Sequence, residues 1–115
     1  MMSRTLKQGL FAAAVAWGGL VGMAAAADVD EAAAQALLKK SDCGKCHAVD
    51  KKKDGPAYKE TAAKLKGKAG AEDELYKHLT TSPKIKIDGK EEEHKKVAST
   101  NEAEVRNLVR YILTR

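Results

Sequence analysis

Beyond its first quarter, the chain gathers its apolar residues into stripes at helical spacing, divided by short polar stretches. The clearest stripe is Val105, Leu108, Val109 and Ile112, the i, i+3, i+4, i+7 repeat that gives a helix one apolar face. Ser99 and Glu102 precede it at capping-box spacing, so a C-terminal helix is predicted to start there. Ala34, Leu37 and Leu38 share a second face, and a helix is predicted over about Val29–Lys40 with Asp28 or Asp30 at its N-terminus. A third is expected over about Ala57–Leu65, stopping at Gly67. A fourth lies in "AGAEDELYKHLTT", with Leu75 and Leu79 on one side, and ends before Ser82-Pro83. "DKKKDGP" reads as a loop turned by Gly55-Pro56, and "SPKIKIDGKEEEHKKVA" as a long polar loop. No strand of any length and no internal repeat are expected. The last helix should cross the first at Leu37 and Leu38. One all-α domain follows from this pattern.

The run from Gly9 to Ala27 carries no charge and does not share the pattern. Arg4 and Lys7 precede it without an acid, and small alanines close it, which is the layout of a secretory signal peptide. The run is nearly long enough to span a bilayer, but its four glycines and many alanines make it a weak anchor. We therefore expect a signal peptide at 1–27, a mature domain at 28–115, export to the periplasm and no stable membrane insertion after cleavage. The mature part has no Met, Phe or Trp, and its aromatics are Tyr58, Tyr76 and Tyr111. So short a chain with so few large apolar side chains usually needs a staple. Removal of Arg4 and Lys7 lowers the formal charge from +5 to +3. That modest excess, without interleaved aromatics, argues against nucleic acid as a partner.

The chemistry sits in "SDCGKCHAVD", which holds both cysteines, Cys43 and Cys46, followed by His47. A thioredoxin-like dithiol needs a strand and a βαβ setting, and here a helical stripe precedes the motif. Zinc needs about four ligands, and one short turn aims three side chains poorly at a tetrahedral centre. A disulfide would close a very small loop and stabilise little. Covalent haem attachment accounts for every residue: both thiols add to the haem vinyl groups as thioethers, and His47 becomes the proximal iron ligand. One such motif means one haem c per chain.

From "LLKKSDCGKCHAVDKKKDGPAYKETAAKLKGKAGAEDEL" to "EVRNLVRYIL", residues 28–115 resemble a small bacterial class I c-type cytochrome. The CxxCH motif and "GPAYK" carry the resemblance; the last helix adds little by itself. It implies a class I cytochrome c fold, about four short helices around one covalent haem, and a Pro56 carbonyl that accepts a hydrogen bond from His47. It also implies a distal methionine, and none exists after residue 27. Where that methionine would stand is "EEEHKKV", so His94 is the expected distal ligand, the other options being His78, a lysine of "KIK" or an open position. In the family the helix holding His78 flanks the haem propionates, which makes His78 a candidate propionate contact, beside the reading of a solvent-facing side chain.

The function so implied is a mono-haem electron carrier, not an enzyme, monomeric and bis-histidine ligated. Its potential should be lowered, since the Met/His pair is the arrangement that raises it. Its partners would be a redox protein donor and acceptor with acidic docking patches, steered by Lys45, Lys51, Lys52 and Lys53. Two rival functions are a haem-based sensor with an open or displaceable sixth position, and a cytochrome subunit of an oxidoreductase complex. N-terminal sequencing of exported protein should begin near Ala27 or Asp28; an intact leader in the membrane fraction would favour a tethered protein instead.

Overall fold

The computed structural model describes residues 28–115, and the leader expected at 1–27 lies outside the described residues. Four helices are present among the described residues: α1 (Glu31–Lys40), α2 (Tyr58–Leu65), α3 (Ala71–Thr80) and α4 (Glu102–Leu113). A 3-10 turn at Cys43–Lys45 follows α1, and the strands β1 (Lys84–Ile87) and β2 (Lys90–Glu93) separate α3 from α4.

The helices start where polar caps satisfy backbone donors that have no partner within the helix. At α1 the Asp30 carboxylate accepts from the Ala33 amide at 3.0 Å. The same residue is clasped to α4, because Asp30 N donates to Asn107 Oδ1 and Asn107 Nδ2 donates to Asp30 O, both at 2.9 Å. No side chain caps α2. Loop carbonyls do so instead: Tyr58 N donates to Ala48 O at 2.9 Å and Lys59 N to Val49 O at 3.1 Å. The cap of α4 differs from the expected Ser99–Glu102 box. Asn101 is the N-cap and accepts from Glu104 N at 3.1 Å. Ser99 sits outside the helix, accepting from Asn101 N at 3.1 Å and donating to Glu104 Oε2 at 2.9 Å. Asn and Ser cap almost equally well. The choice falls to the incoming chain, which is pinned upstream through Val97 N to Leu79 O at 2.9 Å.

The core is the apolar face of α4. Val105, Leu108, Val109, Tyr111 and Ile112 are buried there with Ala34 and Leu37 of α1, Tyr58 of α2, and Leu75 and Leu79 of α3. The expected crossing of α4 on α1 is observed: Leu37 is buried and Leu38, partly buried, packs against the same cluster. Among the described residues, α1, α2 and α3 each pack on α4 and scarcely on one another. Arg106 ties α3 to α4 at the surface through Asp73 at 2.9 Å and Glu72 at 3.4 Å, with its guanidinium 4.5 Å from the Tyr76 ring centre.

The expected long polar loop is the main departure, because it contains an antiparallel hairpin. Lys84 pairs with Glu93, Ile85 with Glu92, Lys86 with Glu91 and Ile87 with Lys90. Two features build it. Asp88 (φ 50°) and Gly89 (φ 78°) both lie in the left-handed region, as a two-residue hairpin turn that matches strand twist requires. "KIKI" also alternates, leaving Ile85 and Ile87 half-buried and Lys84 and Lys86 exposed. Opposite charges face each other at Lys84–Glu93 and Lys86–Glu91, which favours this register.

Leu37 is 2 % exposed, and Leu37→Ala should cost about 2–5 kcal/mol. Denaturant unfolding of the holoprotein would measure it, with the haem spectrum unchanged.

Candidate haem site

The helices and the hairpin enclose a cavity of about 830 Å³, near the upper end of the roughly 300–1,000 Å³ typical of cofactor sites. Its apolar wall includes Leu38, Leu75, Leu79, Ile85, Leu108 and Ile112. The residues expected to hold the haem all border this space: Cys43, Cys46, His47, Pro56, His78 and His94. Chain regions far apart in sequence therefore converge on one pocket.

The motif end is rigid. Cys46 N donates to Cys43 O at 3.2 Å, and His47 N donates to Cys43 O at 3.0 Å. The turn presents Cys43 and Cys46 on the cavity wall as free, half-exposed thiols. Burial pushes the Cys43 thiol up from its ordinary value, with the Lys95 ammonium acting in the opposite sense.

His47 is held by the following loop. Its Nδ1 lies 2.7 Å from the Pro56 carbonyl, and a carbonyl can only accept, so Nδ1 carries the proton. Nε2 is thereby left with a free lone pair, the form a metal needs. The Tyr58 ring stacks on the imidazole at 5.4 Å between centres and 22° between planes. Gly55 N donates to Cys46 O at 2.7 Å, bringing the loop backbone against the ring. A Cβ on Gly55 would lie 2.8 Å from His47 Nδ1 and 2.9 Å from Nε2, inside contact distance. Gly55 and Tyr58 are thus further site residues. Both stand in "DGPAYK", but only the folded loop reveals their contact with His47.

His94, the residue that follows β2, lines the same cavity. Its ring centre lies 6.3 Å from that of His47, with the planes tilted by 50°. The His78 ring, on α3, is 4.3 Å from that of His94. His78 therefore borders the cavity rather than facing solvent. Burial, and then the neighbouring imidazoles, hold both His78 and His94 below the usual histidine pKa, which favours the neutral, metal-binding form. His94 Nδ1 is fully buried and has no hydrogen-bond partner. Buried polar atoms are rarely left so.

The sequence profile of the family described as Cytochrome c matches residues 31–115, and the chain belongs to that family. Cytochrome c-551 of Pseudomonas aeruginosa is 51% identical over 45 residues, which span 39% of this chain and 43% of that protein. Cytochrome c-551 of Azotobacter vinelandii is 37% identical over 81 residues, 68% of this chain and 92% of that protein. The crystal structure of the class 1 cytochrome MtoD from Sideroxydans lithotrophicus ES-1 superposes with a TM-score of 0.73 at 47% identity, covering 76% of this chain and 97% of that one. The architecture is the class I cytochrome c fold.

Members of this family carry one covalently attached haem c through a CxxCH motif, and Cys43, Cys46 and His47 fit that attachment. The structure supplies the fit: two cavity-facing thiols, an imidazole in the coordinating tautomer, an apolar wall, and a second imidazole, His94, on the same cavity. Gly55→Ala should crowd His47 and lower the yield of holoprotein, read as haem absorbance per unit protein; an unchanged yield with an unshifted spectrum would show the loop has slack.

Proposed function

We propose that the chain is an exported mono-haem electron carrier whose iron is held axially by His47 and His94. The observation that carries this is the placement of His94 on the same cavity as His47, in a mature chain without methionine. His47 and His94 would hold the iron between them, and ring centres 6.3 Å apart leave room for one metal ion. His78 lines the same cavity and is assigned to the propionate edge, its ring also limiting rotation of His94.

Haem c supplies a one-electron couple at its iron. The chain sets the terms of that exchange. His47 is made more basic by donating to Pro56 O, which favours the oxidised metal. An imidazole in place of the methionine sulfur shifts the couple the same way. With side chains in both axial positions no site is left for a substrate, so the protein transfers electrons and catalyses no reaction of its own.

Exposed lysines near the motif are proposed to guide acidic faces of a donor and an acceptor, at a rate that falls with salt. Lys45, 3.9 Å from Asp42, borders the cavity. Lys51 and Lys52 are exposed in the adjoining loop, whereas Lys53 Nζ is engaged by Gly44 O. Among the described residues no helix is long and apolar enough to cross a membrane. The leader-like first 27 residues support export to the periplasm, where the carrier is proposed to act as a monomer.

One observation favours the ligand-binding alternative. A metal-bound histidine almost always donates its other nitrogen to an acceptor, and His94 Nδ1 has none. Replacement decides between the two readings. His94→Ala should convert a low-spin haem that combines with carbon monoxide only slowly into one that binds it at once and stoichiometrically. His94→Met should raise the potential and add a sulfur-to-iron charge-transfer band in the oxidised protein. A His94→Ala protein that stays low-spin and inert would remove His94 as the ligand, and His78→Ala would then be the variant that opens the iron.

A further inference from the structure

The segment carrying His94 is fastened to the rest of the molecule at successive points. His94 N donates to Pro83 O at 2.8 Å, continuing the hairpin ladder, and Val97 N donates to Leu79 O at 2.9 Å on α3. The other two fastenings go elsewhere. Ala98 N donates to Ser41 Oγ at 2.9 Å, and Lys95 Nζ lies 3.3 Å from Asp42 Oδ2. Ser41 and Asp42 are the residues immediately before Cys43. The distal segment is thus bound, side chain to backbone and charge to charge, to the short stretch that also carries the covalent anchor.

Ser41 is built into this position. At 3 % exposure it is the one buried residue among the described residues that is classed as polar or charged. Its own amide closes α1 by donating to Leu37 O at 2.9 Å. Its hydroxyl is the partner of the Ala98 amide, so losing it would leave that donor without its acceptor. Asp42 completes the bracket with a left-handed backbone, φ 56°, which Asp and Asn accept more readily than most residues. Its ion pair with Lys95 is exposed on both sides and weaker for that reason.

We infer that Ser41, seconded by Asp42, is a latch that holds the 94–98 segment closed and so governs how readily the distal position opens to an external ligand. This rests on His94 being the distal ligand. Neither residue touches the cofactor's metal in this account; both act through the backbone that places His94. The hydrogen bonds to Pro83 and Leu79 hold that segment to the hairpin and α3, two neighbouring elements joined by a short connection. Of these four polar contacts, those of Ser41 and Asp42 alone tie the segment to the stretch that carries Cys43.

The test uses ferrous holoprotein and carbon monoxide as the probe. In Ser41→Ala the observed rate of carbon monoxide combination should rise about 2- to 10-fold over wild type, the change expected for one lost hydrogen bond. The spectrum without carbon monoxide should stay low-spin. Asp42→Asn should give a smaller rise, and Ser41→Thr, which keeps an Oγ, should return toward wild type. Leu37→Ala serves as a control, because it lowers overall stability while keeping the backbone carbonyl that accepts from Ser41 N, and it should leave the rate unchanged. If Ser41→Ala combines at the wild-type rate while His94→Ala opens fully, the latch is wrong and the ligand assignment stands. If His94→Ala itself stays inert, the ligand assignment fails first. Should Ser41→Ala yield no holoprotein, hydrogen exchange in the wild type decides: carbon monoxide binding must strip protection from the Ala98 amide, and unchanged protection overturns the proposal.

Discussion

The apolar stripe of α4 is the interaction on which the remainder of the molecule depends. Val105, Leu108 and Val109 are at most 1 % exposed, and α1, α2 and α3 are each organised by packing on this one helix. Because those three helices scarcely meet one another, a space stays open between them. Their inward residues become its wall, and so do Leu108 and Ile112 of α4 itself. A chain without Phe, Trp or Met beyond residue 27 could not close that space with its own side chains. Covalent haem supplies the missing apolar bulk, and its thioethers hold it where a small core alone would be marginal.

The two imidazoles proposed to hold the iron are supported unequally. His47 is stacked on Tyr58, hydrogen-bonded to Pro56 and hemmed by the Gly55 backbone. His94 has His78 beside it and no acceptor for its buried Nδ1. An imidazole that donates its second proton is a stronger donor to metal than one that does not. The proximal bond is therefore the fixed member of the proposed pair, and the distal bond relies on how firmly the backbone around residues 94–98 is held. That backbone is reached through a hairpin turn, a helix carbonyl and the residues preceding the first cysteine. Distal geometry and covalent anchoring are thus parts of one mechanical unit.

Much of this was legible in the sequence where the signal is local. The motif in "CGKCH" names its own chemistry, because two thiols and an imidazole at that spacing suit few centres. The four-helix plan followed from apolar spacing, and α4 was clear because its stripe is long and unbroken. The hairpin was also written locally, in the Asp88-Gly89 turn and the alternation of "KIKI". It was missed because its strands are short and highly charged, and charge density reads as loop. The shift of the α4 cap from Ser99 to Asn101 had no local signature, since either residue caps well and the tether at Val97 decides where the chain enters the helix.

By itself, then, the sequence determined the anchor, the proximal ligand and the helices, since each depends on residues within one or two turns of each other. Tertiary structure alone decided which side chains meet across the cavity. Nothing in "EEEHKK" or "ELYKHL" tells that the two imidazoles line one cavity with their ring centres 4.3 Å apart. Nor does it tell that Ser41 receives the Ala98 amide. Those contacts join segments widely separated along the chain, and only the packing of three helices on a fourth fixes the distances between them.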